Sequence, residues 1–440
     1  MHVLTGRHIN KAAKSLLSII ALASLPLPLA AQETQQENEA SECDEWAASD
    51  SAWQDIEQAL RENYAYLDRV SDHDALLENT GRNAEKADSL AELSIIVENL
   101  GYAFRDSHFH VSPAPPVERA WIPTGTDLWA ARNELGKFML IDVKADSDAY
   151  AKGLRPGMEI LSIGGEPTAD AVAKLLEPVT QSPSAEQLDY AVNVLLSGFT
   201  NTDRSIAVRQ PDTTARLVTL AKGLSSYKRP KEPVTFKAMG ETAYFRFNNQ
   251  LGENRTIAAF DTLMGEHADA AAFIIDLRDT PSGGNTTVAR AIMGHFVQQE
   301  APYQQHINAY ENDFLGVKRL QVEYVFPRQP NPSVPVVVLA GRWTGSVGEA
   351  IAMGMDSAAN AYSIGTDLGD LLGTLNNHTL PNGCMTLNFA YDRLMHADGT
   401  RRENWMPDQI LTSGETDAAG KDPALSAAYE YLASRNIQTR

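Results

Sequence analysis

The sequence predicts an α/β protein: a layered α/β core in the second half of the chain, preceded by a β-rich segment and, before that, a small helical region. Three observations predict it. From about residue 223, short apolar runs such as "AAFIIDL" and "VPVVVLA" alternate with segments of helical period, the pattern of strands and helices stacked in layers. Between residues 116 and 222, short β-type runs are separated by Gly and Pro turns, and before residue 115 apolar side chains recur at helical spacing. At 440 residues the chain can bury a sizeable core and hold two or three domains.

Residues 1–31 read as a cleaved secretory signal: a basic start (Arg7, Lys11, Lys14), an apolar stretch from Leu16 to about Leu29, then Ala30 and Ala31 before a polar run. The apolar stretch is too short to span a bilayer and contains Pro26 and Pro28. The expectation is a periplasmic or secreted protein that is not embedded in a membrane. Without the leader, 34 Lys+Arg face 57 Asp+Glu, a net charge of −23. Phosphate binding needs a basic face, so this charge argues against a nucleic-acid partner. Cys43 and Cys384 would meet an oxidising compartment, and the sequence does not decide whether they pair.

A polar linker and a helical N-terminal domain are expected over 32–115. Trp53, Ile56, Leu60, Tyr64 and Leu67 mark one helix. Ser89 with Glu92 forms a capping box for a second, with Leu93, Ile96, Val97 and Leu100 on one stripe and a stop at Gly101. The proline cluster near residue 115 is a boundary. Within 116–222, "AYAKGLRPGMEILSIGGEP" resembles the stretch of a PDZ domain where a short helix leads into a strand and turn. That resemblance implies a domain that captures an extended chain as an added strand, with Leu135, Gly136, Lys137 and Phe138 as its carboxylate loop. Over 223–440, "AYFRFN", "AAFIIDL" and "VPVVVLA" read as strands, and Glu253–Glu266 and Thr286–Val297 as helices.

Two stretches could carry chemistry. "VVVLAGRWTGSVGEAIAMGM", residues 336–355, runs from a strand through a Gly-rich corner into a helix, with Ser346 at the corner. Serine there is often only a helix cap. The same place suits a nucleophile, because a helix N-terminus offers unbonded N–H groups and partial positive charge to an oxyanion. Thr344 replaces the first glycine of G-x-S-x-G, which argues against an α/β-hydrolase. In "FIIDLRDTPSGGN", residues 273–285, a strand ends in charged residues followed by Gly283 and Gly284, which let the backbone present its amides.

Together, "DLRDTPSGG", "TGSVGE" about sixty residues later, and the tail "LPNGCMTLNFAYDRLMHADGTRRENWMPDQ" resemble the tail-specific (C-terminal processing) serine protease family. The order of motifs covers nearly the whole chain after the leader, including a closing helix at "DPALSAAYEYL". The resemblance implies a ClpP/crotonase-like α/β core with a PDZ-like domain, no cofactor, and peptide or unfolded protein segments as substrates. Better-known members use a lysine base roughly 25 residues after the serine. Here no lysine occurs between Lys318 and Lys421, and Leu371 lies near that place. The chain is more similar to the tricorn-core branch, which has a histidine ahead of the PDZ-like insert in "RDSHFHV". Carried over residue by residue, the resemblance implies Ser346 as nucleophile, His108 as base, and Glu403 acting on it through Ser107. The amides of Val347 and of Gly283 or Gly284 would form the oxyanion hole.

An imidazole of pKa near 6.5 would take the serine proton and return it to the leaving amine. "HFH" (His108, His110) lacks the third ligand of a catalytic zinc, so no metal is expected. Glu349, three residues after Ser346, reads as a partner of the helix dipole. The expected activity is a serine endopeptidase working through an acyl-enzyme. The alternatives are a catalytically inactive peptide- or ligand-binding protein of the same fold, and an esterase or amidase acting on a small substrate.

Overall fold

The computed structural model describes residues 41–210, 212, 214–222 and 229–439; the expected leader, residues 1–31, lies outside them, as does the linker up to residue 40. The first helix, α1 (Asp50–Asn63), buries Trp53, Ile56 and Leu60 as the spacing predicts. A second helix, α2 (His73–Ala84), is capped by Asp72. In α3 (Leu90–Glu98) Ser89 accepts from the Glu92 amide, but the Glu92 carboxylate reaches back one residue further, to the Asp88 amide at 3.0 Å. The predicted stop at Gly101 is displaced. A short helix, α4 (Leu100–Phe104), runs through it because Leu100, Ala103 and Phe104 continue the buried stripe, and the chain turns only at Arg105, φ 56°. Strand β1 (His110–Ser112) then leaves this region.

A sheet with strand order β2 (Leu128–Arg132), β3 (Phe138–Val143), β4 (Glu159–Ile163), β6 (Arg204–Arg209), β7 (Ala215–Leu220) occupies the middle of the chain, with β5 (Glu166–Pro167) paired to β4. Helices α5 (Asp148–Ala151), α6 (Thr168–Leu176) and α7 (Ala185–Ser197) accompany it. Its apolar interior is continuous with that of the N-terminal helices, through residues such as Phe104, Leu128, Leu140 and Val192.

The second half is the predicted layered core. One sheet runs β17 (Gln409–Ile410), β14 (Tyr362–Gly365), β13 (Val336–Ala340), β10 (Ala272–Asp276), β9 (Thr242–Phe247), β8 (Val234–Met239). It is parallel except for the β8–β9 hairpin. Successive side chains of a strand face opposite sides. Phe273 and Ile275 therefore enter the core under α8 (Arg255–Glu266), α9 (Thr286–Gly294) and α10 (Val347–Ala359). Ala272 and Ile274 meet the closing helix α11 (Pro423–Ser434) on the other face. Because both faces are covered, strands read as unbroken apolar runs. The helices at 255–266 and 286–294 are shorter than the 253–266 and 286–297 expected from the sequence. A second sheet joins β1 to β16 (Thr386–Met395), β11 (Ala301–Asn308) and β12 (Gln321–Val325), with β15 (Thr374–Thr379) also on β16, so the N-terminal region is stitched to the tail.

Charged groups tie the middle sheet to the core. Fully buried Lys144, just past β3, donates to the Arg278 carbonyl at 2.9 Å and lies 3.2 Å from Asp279. Asp142 accepts from the Gly414 amide (2.6 Å) and Ser413 hydroxyl (2.9 Å) and pairs with Arg342 at 3.3 Å. These contacts fix the two strand ends, after β10 and β13, from which the candidate site is built.

Candidate active site

Ser346 stands at the start of α10 but does not cap it: its side chain makes no capping bond, and its backbone has φ 52°, ψ −112°. A non-glycine residue held at positive φ stores about 1–3 kcal/mol. The surrounding turns over-determine it. Thr344 Oγ1 donates to the Leu277 carbonyl at 3.0 Å, the Gly345 amide donates to Thr280 at 3.2 Å, and a buried Arg402 guanidinium donates to the Ser346 carbonyl at 3.2 Å. Ser346 Oγ has no hydrogen-bond partner among the described residues and remains partly exposed.

The Gly283–Gly284 turn lies against this corner. A methyl group on Gly283, φ +64°, would sit 2.8 Å from Ser346 Oγ and 3.0 Å from the Val347 nitrogen. A methyl group on Gly284 would strike the Leu251–Gly252 backbone. Only glycine fits either place. Gly283 donates its amide to Thr280 at 3.2 Å, whereas the amides of Gly284 and Val347 have no acceptor among the described residues. Of the two glycines proposed for an oxyanion hole, Gly284 is therefore the one with a donor to offer beside Val347.

His108 follows α4 through a tight turn. Buried Asp106 accepts from the His108 amide (2.9 Å) and the Tyr64 hydroxyl (2.9 Å). The imidazole Nδ1 lies 2.7 Å from the Leu372 carbonyl. A carbonyl only accepts, so Nδ1 carries the proton and Nε2 keeps a lone pair. Burial pushes His108 below the ordinary imidazole range, and the negative charge of Asp106 partly opposes this. The ring is therefore a neutral base at pH 7.

The relay expected from Glu403 through Ser107 to His108 is not made in this structure. Ser107 Oγ pairs with the Tyr190 hydroxyl at 2.9 Å, and Glu403 takes Arg401 Nε at 2.5 Å. Ser107 and Glu403 line one cavity of ≈ 580 Å³. Glu403 Oε2 is buried with no hydrogen-bond partner, so this oxygen retains capacity to accept. No hydrogen bond joins Ser346 and His108 among the described residues.

Other expectations fare differently. The Leu135–Phe138 segment is the tip of the β2–β3 hairpin, where Asn133 already takes the Gly136 amide on its carbonyl and the Leu135 and Lys137 amides on its side chain. This tip has no amides aimed at a carboxylate, because the tight turn consumes them. His110 pairs with Glu98 at 3.0 Å. Neither Cys43 nor Cys384 is a free thiol.

Glu349 is more than the dipole partner expected. It is fully buried, accepts from the Leu371 amide at 2.9 Å, and lies 3.8 Å from Arg402. Burial pushes its carboxyl up to about 8, with Arg402 opposing and Asp370 reinforcing the shift. It thereby holds the segment whose next carbonyl, Leu372, holds His108. Asp106, Tyr190, Arg402 and this role of Glu349 were missed in the sequence. Only the charge beside "SH" and the doubled arginine before Glu403 hint at them.

Residues 241–409 match the model of peptidase family S41. Among solved structures, mature CPAF complexed with lactacystin is 15% identical, with 89% of this chain and 98% of that chain covered and a TM-score of 0.57. The photosystem II D1 C-terminal processing protease is 15% identical, with 84% and 94% covered and a TM-score of 0.52. At that identity the likeness establishes the fold. No curated protein matches the chain. The family match, on this mixed α/β fold, supports a serine-type peptidase.

Proposed function

We propose that the chain is a secreted or periplasmic serine endopeptidase that cleaves peptides or unfolded protein segments through an acyl-enzyme, with Ser346 as nucleophile and His108 as general base. The carrying observation is the Ser346 hydroxyl, unbonded among the described residues, on a strained corner against the Gly283–Gly284 turn, where the amides of Val347 and Gly284 have no acceptor among the described residues. A serine kept for capping would spend its oxygen on the helix.

The chemistry follows from these groups. His108 Nε2 removes the Ser346 proton as Oγ attacks the peptide carbonyl. The oxyanion is held by the Val347 and Gly284 amides, each such donor being worth about 2.7–4 kcal/mol. Imidazolium then protonates the leaving amine, and water repeats the cycle to release the acid. The Leu372 carbonyl keeps the imidazole in the required tautomer, and Asp106 supplies negative charge next to it. The tetrad reading of the tricorn-core-like branch adds Glu403, whose unpartnered oxygen would take the Ser107 hydroxyl once that turns from Tyr190. On this reading the PDZ-like segment presents extended substrate to the cavity.

The missing Ser346–His108 bond is what favours the second reading, a binding protein without catalysis. Hydrolysis of casein and of unfolded peptides by the mature chain, beside Ser346→Ala and His108→Ala, separates the two. The peptidase reading expects at least about a 10³-fold loss in each variant, with circular dichroism unchanged, and labelling of Ser346 by a fluorophosphonate. No turnover and no labelling of the native chain would leave binding as the function.

A further inference from the structure

The cavity shared by Ser107 and Glu403 is lined by acids and by four arginines, three of which are engaged by side-chain ion pairs or hydrogen bonds of 3.2 Å or less. Arg69 pairs with Asp370 at 3.0 Å. Arg401 pairs with Asp68 at 2.6 Å and Glu403 at 2.5 Å. Arg402 is turned onto Ser346, Gln304 and Glu349. Arg105 differs: its guanidinium makes no ion pair among the described residues, and its one side-chain hydrogen bond is a long one, 3.5 Å, from Nη2 to the Arg69 carbonyl.

Local backbone geometry places Arg105 beside Arg69. Arg105 ends α4 in the left-handed region, φ 56°, and its carbonyl accepts from Arg69 at 3.4 Å, so two guanidinium side chains are kept side by side. Burial, and then repulsion from Arg69, hold Arg105 below the usual arginine range. The charges of Asp370 and Glu186 oppose that shift, but neither makes an ion pair with Arg105 among the described residues: Asp370 pairs with Arg69 at 3.0 Å and Glu186 accepts from the Ser184 hydroxyl at 2.7 Å, while Asp189 pairs with Arg132. A partly dehydrated cation beside another cation, with most of its donors unused, is a receptor for an anion.

Its place indicates which anion. Arg105 is three residues before His108. It lines both the ≈ 580 Å³ cavity and a neighbouring cleft of ≈ 850 Å³, which share Asp68, Arg69, Arg105 and Glu186. Neither pocket is lined by Ser346 or His108 themselves; a peptide held at Ser346 whose chain extended past Ser107 into these clefts would meet the guanidinium. We propose that Arg105 binds a carboxylate of the substrate, on an acidic side chain close to the bond that is cut, as a two-pronged ion pair. This rests on the peptidase reading. The chain's net charge of −20 disfavours acidic peptides in general, so a preference for one at a single position requires a local cation.

The test uses peptide pairs that differ only by Asp against Asn, or Glu against Gln, walked along both sides of the cleaved bond, each made with a free and an amidated C-terminus. The readout is the acid-to-amide ratio of kcat/KM for the native chain, Arg105→Gln and Arg105→Lys. At one position the native ratio is expected to be about tenfold, equivalent to about 1.4 kcal/mol. Arg105→Gln should bring it to one or below, while Arg105→Lys should keep part of it. A ratio near one in the native chain, or a ratio unmoved by Arg105→Gln, overturns the proposal. A preference that follows the free C-terminus and vanishes on amidation overturns the side-chain assignment in favour of a terminal carboxylate. Anisotropy of the same peptides on Ser346→Ala keeps the two readings apart. Arg105-dependent acid binding without any hydrolysis by the native chain would sink the peptidase and spare the receptor; hydrolysis without acid preference would do the reverse.

Discussion

Gly283→Ala tests whether the glycine turn shapes the Ser346 corner. Two costs add. At φ +64° an L-residue costs about 1–2 kcal/mol relative to glycine. The added methyl would also lie 2.8 Å from Ser346 Oγ and closer still to its Cβ, where carbon contacts prefer about 3.5–4.0 Å. Ser346 is fixed by Arg402 and by the Thr280 and Thr344 turns, so overpacking adds about 1–3 kcal/mol. The sum is about 2–5 kcal/mol of stability. If the serine yields instead, a displacement near 1 Å is expected to lower kcat/KM by about 10²-fold. Gly316 is the control: it has φ +67° with nothing within 4 Å of its added methyl, so Gly316→Ala bears the backbone cost alone. Urea unfolding and peptide turnover of both variants give the comparison. Equal destabilisation, together with turnover of Gly283→Ala within threefold of native, would refute the reasoning, because the contact would then be costing nothing.

His108 must be neutral to accept a proton, so activity should rise with pH through a midpoint below the usual imidazole value of about 6.5. Asp106→Asn removes a charge that raises this midpoint, and the acid limb of kcat/KM should move to still lower pH; a move upward would contradict the assignment. Glu349 ionises in the unfolded chain above about 4.5 but in the folded chain only near 8. Because the unfolded state releases the proton first, stability falls as pH rises between those values. Glu349→Gln keeps an acceptor for Leu371 and should flatten the decline in Tm from pH 5 to 8. A variant much less stable than native at pH 7 would instead mean that Glu349 is ionised and paired with Arg402.

How much was legible follows from what each feature depends on. The core strands were readable because a parallel strand buried on both faces must be apolar throughout, as in "AFIID" and "VVVLA". The Ser346 corner and the paired glycines were readable because close backbone approach restricts residue type locally. The relay was not, because hydroxyl and carboxylate partners are chosen by packing. Tyr190 comes to Ser107 from α7, and Arg401 rather than Ser107 takes Glu403. Glu349 was misjudged because its sequence position shows a helix first turn, whereas its burial under the Asp370–Leu371 segment is tertiary.

A base at His108 in place of a lysine, as proposed, changes what the fold must supply. A lysine close after the serine would come from the same half of the chain, whereas His108 comes from the N-terminal region and must be brought to Ser346 by packing alone. The structure shows the means. Tyr64, Phe104, Phe109 and Phe389 form an aromatic cluster that joins the helices to β16, β1 pairs with β16, Arg69 pairs with Asp370, and the Leu372 carbonyl takes the imidazole. Leu371 occupies the place expected of the lysine and packs against Gly345, leaving no room there for a methyl group. The segment on which the resemblance would place a lysine base thus holds the His108 imidazole through its backbone. Leu371→Lys should therefore not create a Ser–Lys dyad, because the ammonium would replace a buried apolar side chain packed against Gly345 and disturb the segment that holds His108; peptide turnover by Leu371→Lys/His108→Ala above that of His108→Ala alone would contradict this.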